Sequence, residues 1–447
     1  MVTMKRVPLL CCLVLGALLA WFAPLAAADA VELGTTTSAL VAPSCPKGVS
    51  PANCTIILTR STALETLRDG VAYPTTAKAS GRIVAFTVGL SRLDSNAATA
   101  KQDIHFLDTT YGGTTRLVLT VLRPVGAKSQ RRWKVVAESP LFRVQPWLGQ
   151  VVRFPLATSL PIRAGDTVAL TTPTWAPVLS IDQSTKQFAY RQSRSTSCDV
   201  PPSSSAAQSV GQSAQYVCDY TGTRVEYSAT EITSTASASS TPVASTVCPA
   251  TLSLTQCPAV LARATALDTV GAGASYPTTV TADGRLVAFT IGLSSLSSNR
   301  TTRLSDVRAL NATFGGAPAA AVTVLKAVGP RSQRRYAVVA SSPLYSLSSY
   351  VGGAVQLVLR SALHVSRGEL IALTTPTWAP VLWSSGSSSR YAHRQSRATS
   401  CTSPPSSTAA QLSPGQSARY VCNYPGVSAT YSPAVIPIPP VPKSYVH

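Results

Sequence analysis

The chain carries one cysteine-spaced pattern twice, and the distance between the copies barely drifts. Cys45, Cys54 and Cys198 recur 203 residues on as Cys248, Cys257 and Cys401, and Cys218 recurs one residue late as Cys422. Between these anchors Tyr73-Pro74-Thr75-Thr76 returns as Tyr276-Pro277-Thr278-Thr279, and Gly81-Arg82 as Gly284-Arg285. A period this long reads as a duplicated domain, because solenoid and propeller units repeat every ~20–50 residues. Two copies also filter candidate sites. An activity built into the fold should leave its residues in both, although a recent duplication keeps idle residues as well.

Lys5 and Arg6 precede an apolar run over residues 7–20, and small residues follow through Ala30. This is the order of a secretory signal, expected over residues 1–30 with cleavage after Ala28 or Ala30. No other stretch is long and apolar enough to span a membrane, so the expected address is secreted, extracellular or in the cell envelope. Cys11 and Cys12 leave with the signal, and the other eight cysteines form an even set in an oxidising compartment. Local pairing is favoured: 45–54 with 198–218, and 248–257 with 401–422. Short loops close cheaply, and each bridge is worth about 2–4 kcal/mol. The rival pairing clamps the first two cysteines of a copy to its last two. The spacings lack any C-x2-C or nearby histidine pair, so no metal or cofactor is expected.

The formal net charge is +20, with 38 basic residues against 18 acidic. Such an excess favours polyanions or an anionic cell surface as partners. Nucleic acid is not expected, since export removes it and no recognition motif is present.

Copy one is read as residues 42–231 and copy two as 247–433. A Ser/Thr/Ala linker, 232–246, lies between them, and a proline-rich tail, 434–447, follows. Inside each copy the apolar segments are short and β-branched, as in Arg82-Ile83-Val84-Ala85-Phe86-Thr87-Val88, and Gly or Pro turns separate them. No window keeps a capped helical repeat over three turns. The expected fold is all-β: two tandem antiparallel β-sandwich domains, jelly-roll-like, each with two disulfides.

Successive segments of copy one read GRIVAFTVGL, LVLTVLRPVG, RRWKVVAESP and LPIRAGDTVAL. In this order they resemble a group of uncharacterised secreted actinobacterial β-sandwich proteins, over about residues 54–170 and again 257–373. Copy two departs at Ser366-Arg367-Gly368-Glu369. The resemblance implies a fold and an address, and no activity.

The filter is severe on catalysis. His105, His364, His393 and His447 have no histidine partner in the other copy, so no shared triad or histidine metal site exists. Three acids are shared: Glu65/Asp268, Asp103/Asp306 and Asp166/Glu369. Glu65 with Asp103, or their counterparts, would be the carboxylate pair of an exported hydrolase, the alternative reading. Asp166 sits in a turn, where an acid usually bonds backbone.

Eight positions are basic in both copies. Three crowd a predicted hairpin tip, Lys128, Arg131 and Arg132, returning as Arg331, Arg334 and Arg335; arginine forks there would grip oxyanions. Arg191 and Arg194, returning as Arg394 and Arg397, form a second cluster beside Cys198 and Cys401. Trp175 and Trp378 lie in the longest identical stretch, ALTTPTWAPVL, where prolines hold them either as sugar-stacking platforms or as core plugs. The function expected is non-catalytic binding of an anionic surface or glycan by two homologous domains. A purely structural envelope protein is the third reading.

Overall fold

Each half of the chain lays two antiparallel sheets face to face. The computed structural model describes residues 30–45, 56–195, 198, 204–233, 259–384, 387–399, 401 and 407–442. The larger sheet of the first half runs in space Ser213–Ala214, Arg132–Glu138, Arg116–Val125, Thr167–Ala176, Leu58–Arg68, Ala189–Gln192, Cys218–Thr221. The second half repeats that order with Ser417–Ala418, Arg335–Ser341, Ala319–Val328, Leu370–Ala379, Leu261–Gly271, Ala392–Gln395 and Cys422–Pro425. One short segment, 213–221 or 417–425, supplies both outer edges, so each sheet curls. Tyr216 and Tyr420, fully buried, sit inside the curls. Strand alternation assigns the layers: Val168 and Leu170 face the inter-sheet core, while Ala169 between them faces Tyr216.

The second layers of the two halves form one seven-stranded sheet. Its order is Ala30–Leu33, Tyr227–Thr233, Gly81–Gly89, Val151–Ile162, Ala354–Val365, Gly284–Gly292, Tyr431–Pro437. At the junction Thr158 pairs with Ser361, its own counterpart 203 residues on. Equivalent strands therefore meet antiparallel about a local two-fold, the geometry of an isologous dimer interface. The buried cluster at this seam contains three sets of counterparts: Val84 and Val287, Ala85 and Ala288, Ile232 and Ile436. Ser159 Oγ donates to the Leu359 carbonyl at 2.8 Å, and the Arg82 guanidinium holds Ser159 from its own side. Farther out, Trp147 Nε1 donates to the Pro440 carbonyl at 3.1 Å, so part of the proline-rich tail is packed.

Proteolytic cleavage engineered within residues 234–246 should consequently leave the two halves eluting together on gel filtration. Placing Asp at Val84 and Val287 should separate the cleaved halves, because an unpaired charge is costly in an apolar seam. Halves that part on cleavage alone would show that the seam contributes little.

Cys198–Cys218 and Cys401–Cys422 are bonded, as the local pairing requires. Cys45 is also disulfide-bonded; Cys54, Cys248 and Cys257 lie outside the described residues, as do residues 1–29 and 234–246. Ile232 and Thr233, read from sequence as linker, end the strand Tyr227–Thr233.

Each half also contains a helix that the sequence reading does not anticipate: α1, Ala97–Tyr111, and α2, Arg300–Phe314. Their caps are conventional. Asn96 accepts from the amides of Ala98 and Thr99, and Gly112 takes the left-handed C-cap at φ 83°. The apolar stripe is what is missing, for α1 buries only Ala100 and Leu107. Among the described residues no helix is long and apolar enough to cross a membrane.

Candidate functional site

The structure gives most of the shared cations local work. Arg60 caps the C-terminus of α1, donating to the carbonyls of Thr110 at 2.9 Å and Tyr111 at 3.4 Å. Arg123 binds Asp166 through two 2.7 Å contacts, and Asp166 also accepts from the Arg163 amide, as expected of a turn acid. Arg194 and Arg397 are about 5% and 4% exposed and spend their guanidiniums on backbone, including the carbonyls of Ser204 and Thr408. Arg132 and Arg335 donate to the Ser213 and Ser417 carbonyls. Arg191 pairs with Asp219 at 3.0 Å; across from Arg394 the strand partner is Asn423. Lys128 and Arg331 are exposed at the hairpin tip.

Trp175 and Trp378 are both 0% exposed, so neither ring is a stacking platform. Trp175 packs against Ile56, Leu93 and Leu107 beneath α1, and its Nε1 donates to Asp108 at 2.9 Å. Trp378 does the same beneath α2, donating to Asn311 at 3.0 Å. The prolines fix a core plug. Glu65 is likewise at 0% exposure, against Arg68 and near Arg224, while Asp103 lies on α1. Neither Glu65 and Asp103 nor their counterparts Asp268 and Asp306 perturb each other's ionisation.

The residues that do converge form a cleft of about 760 Å³ in the first half. Its floor is aromatic: Tyr73, in the turn after strand 58–68, lies 5.7 Å from Trp133 on the hairpin, with ring planes tilted by 38°. Tyr73 holds a left-handed φ of 48°, and its counterpart Tyr276 holds 46°. A bulky residue adopts that conformation only where its surroundings impose it, a pattern common at ligand sites. Lys78 and Arg131 supply positive charge, and Thr35, Thr36 and Thr37 supply hydroxyls from the N-terminal segment. Arg131 Nε is buried and has no hydrogen-bond partner among the described residues. Asp69 closes one side. Burial works to raise its carboxyl, but the hydroxyls of Ser38, Thr36 and Thr37 and the Ser38 amide outweigh that and hold it below the usual carboxylate range.

Of the cations singled out in the sequence, Arg131 alone lines this cleft, and Lys128 and Arg132 lie on the same tip. Tyr73, Trp133, Lys78 and Thr35–Thr37 were missed. The repeated Tyr-Pro-Thr-Thr motif was the available signal, an identical aromatic turn in both halves. The second half builds the position differently. Tyr336 replaces Trp133, and its hydroxyl lies 3.1 Å from that of Tyr276. Burial and this bond push Tyr336 up to about 12, while Arg334 and Arg394 pull the other way.

That half also buries two titratable groups that oppose each other. Burial pushes Asp268 up to about 7, against hydrogen bonds from Ala429 and Ser428. Burial pushes His393 down to about 4, against the Val427 carbonyl. Asp268 keeps a proton that the unfolded chain loses above pH ~4, so its contribution falls as pH rises toward 7. His393 refuses a proton that the unfolded chain takes below pH ~6.5, so its contribution falls as pH drops toward 4. Between these limits the two slopes cancel. His393→Tyr, which installs the first-half residue Tyr190, should remove one slope. Relative to wild type, the variant should then lose about 3 kcal/mol between pH 4 and 6.5 in urea unfolding. Parallel pH profiles would contradict the assignment.

Compared with models of known protein families, with curated proteins and with solved structures, the chain matches none.

Proposed function

We propose that this is an exported binding protein that takes an acidic glycan in the first-half cleft, without chemistry at the ligand. The observation that carries the reading is the Tyr73–Trp133 ring pair in one cleft with the cations Lys78 and Arg131. An aromatic floor suits the apolar face of a sugar ring, and the Arg131 guanidinium and Lys78 ammonium suit its carboxylate or sulfate. The threonine hydroxyls of the same lining suit ring hydroxyls. Net charge of +20 favours encounter with anionic polymers. The sequence signal and the two disulfides support export, and the segment order supports kinship with secreted actinobacterial β-sandwich proteins. Because the halves are docked, a second site on the Tyr276–Tyr336 side would sit at fixed geometry relative to the first, not on a free tether.

Isothermal titration of the full chain with tetragalacturonate, a heparin tetrasaccharide and neutral cellotetraose tests this directly. Saturable binding of an acidic probe, and none of cellotetraose, is expected. Arg131→Gln and Lys78→Gln should each weaken binding by about tenfold or more, the worth of a charge-assisted hydrogen bond. Both should flatten the salt dependence. Binding unchanged by these variants would remove the cleft from the account.

A further inference from the structure

Residues 34–41 pass the cleft, contributing Thr35, Thr36 and Thr37 to its lining, and the groups that fasten them are peculiar to the first half. Asp69 accepts from the Ser38 amide at 2.8 Å and the Ser38 hydroxyl at 2.6 Å. Arg224 donates to the carbonyls of Ala39 at 3.0 Å and Ser38 at 3.1 Å, and Arg68 donates to that of Gly34. Glu226 accepts from the Val41 amide at 3.2 Å. Val41 passes so close over Gly89 that a Cβ there would come within 1.8 Å of its carbonyl oxygen. The corresponding positions in the second half are Ala272, Ser428, Gly271 and Thr430, all uncharged. Four ionic fasteners for one eight-residue segment, with none at the equivalent places, mark the segment as specifically seated.

The seated segment delivers Thr35, Thr36 and Thr37 to the cleft lining that Arg131 and Trp133 share. We infer that residues 34–41 are a strap that completes the acidic-glycan cleft and selects for ligand hydroxyls, and that Asp69 is the residue that positions it. The inference rests on the proposed function. Asp69 touches the strap from within the cleft lining, so its own charge repels an anionic ligand. Its positioning role and its charge therefore act in opposite directions, which makes the two separable by substitution.

Two full-length variants separate them. Asp69→Ala removes both charge and fastener; the backbone accepts alanine there, because Ala272 holds φ 49° at the equivalent place where Asp69 holds 50°. Asp69→Asn keeps an acceptor for Ser38 and removes the charge. Titrated with tetragalacturonate, Asp69→Ala should bind at least about fivefold more weakly than wild type, with its salt dependence retained. Asp69→Asn should bind as well as wild type or better. Amide exchange at residues 34–41 should accelerate in Asp69→Ala and not in Asp69→Asn, with melting temperatures little changed. Asp69→Ala that binds equally or more tightly, while Arg131→Gln still weakens binding, would overturn the strap and leave the cleft standing. Loss of any effect from Arg131→Gln would instead remove the cleft, and the strap's ligand role with it.

Discussion

Trp175→Ala should destabilise the protein by about 3–5 kcal/mol, the cost of emptying a buried aromatic position. The ring is fully buried among Ile56, Leu93 and Leu107, and its removal opens a cavity between α1 and the larger sheet. It also strands the Asp108 carboxylate, which accepts from Nε1 at 2.9 Å. Trp175→Phe keeps most of the volume and loses that bond, so it should cost distinctly less. The counterpart Trp378→Ala should behave alike, because Asn311 takes the place of Asp108. Urea unfolding measures all three. A loss under about 1 kcal/mol for Trp175→Ala would mean that the ring is not a core plug.

Arg68→Met should be of similar size, about 3–5 kcal/mol, because it leaves a buried carboxylate without its nearest cation. Arg68 is fully buried and donates to Glu65 and to the carbonyls of Gly34, Val225 and Tyr227. Burial pushes the Glu65 carboxyl up, and the guanidiniums of Arg68 and Arg224 pull it down. Without Arg68 the upward push meets less opposition, so folded Glu65 holds its proton to higher pH than the unfolded chain does. Stability of the variant should therefore fall as pH rises from 5 to 8. Adding Glu65→Gln should restore part of the loss and remove the pH slope. Equal losses at pH 5 and pH 8 would contradict this account. The second half manages the same position without an arginine, holding Asp268 with a hydroxyl and a backbone amide.

The β architecture was legible because strands such as Gly81–Gly89 alternate or run apolar over short stretches between turns. The helices were not, because each rests on a tryptophan from the sheet and needs only a few apolar residues of its own. Asn96 and Gly112 marked the ends of α1, but no stripe lay between them. The seam was hidden for a different reason. Thr158, Ser159 and Ser361 look like surface polar residues, and only strand order reveals that they join the two halves.

The cleft escaped notice because a filter for identity keeps whatever the fold needs. Arg60, Arg123, Arg194 and Arg397 are shared since they cap a helix, brace a turn or satisfy buried carbonyls. The cleft combines shared positions, Tyr73 and Arg131, with positions that differ between halves: Lys78 against Thr281, Trp133 against Tyr336, Asp69 against Ala272. Divergence at these positions distinguishes the first half from the second, and the strap fasteners show the same pattern.

Hydrogen exchange of the full chain, with and without saturating tetragalacturonate, tests the central claim most directly. Slowed exchange is expected in three segments only: residues 34–41, 71–78 and 128–133. Saturable binding with protection elsewhere, for example only around Arg191 and Asp219, or no saturable binding of any acidic probe, would contradict it.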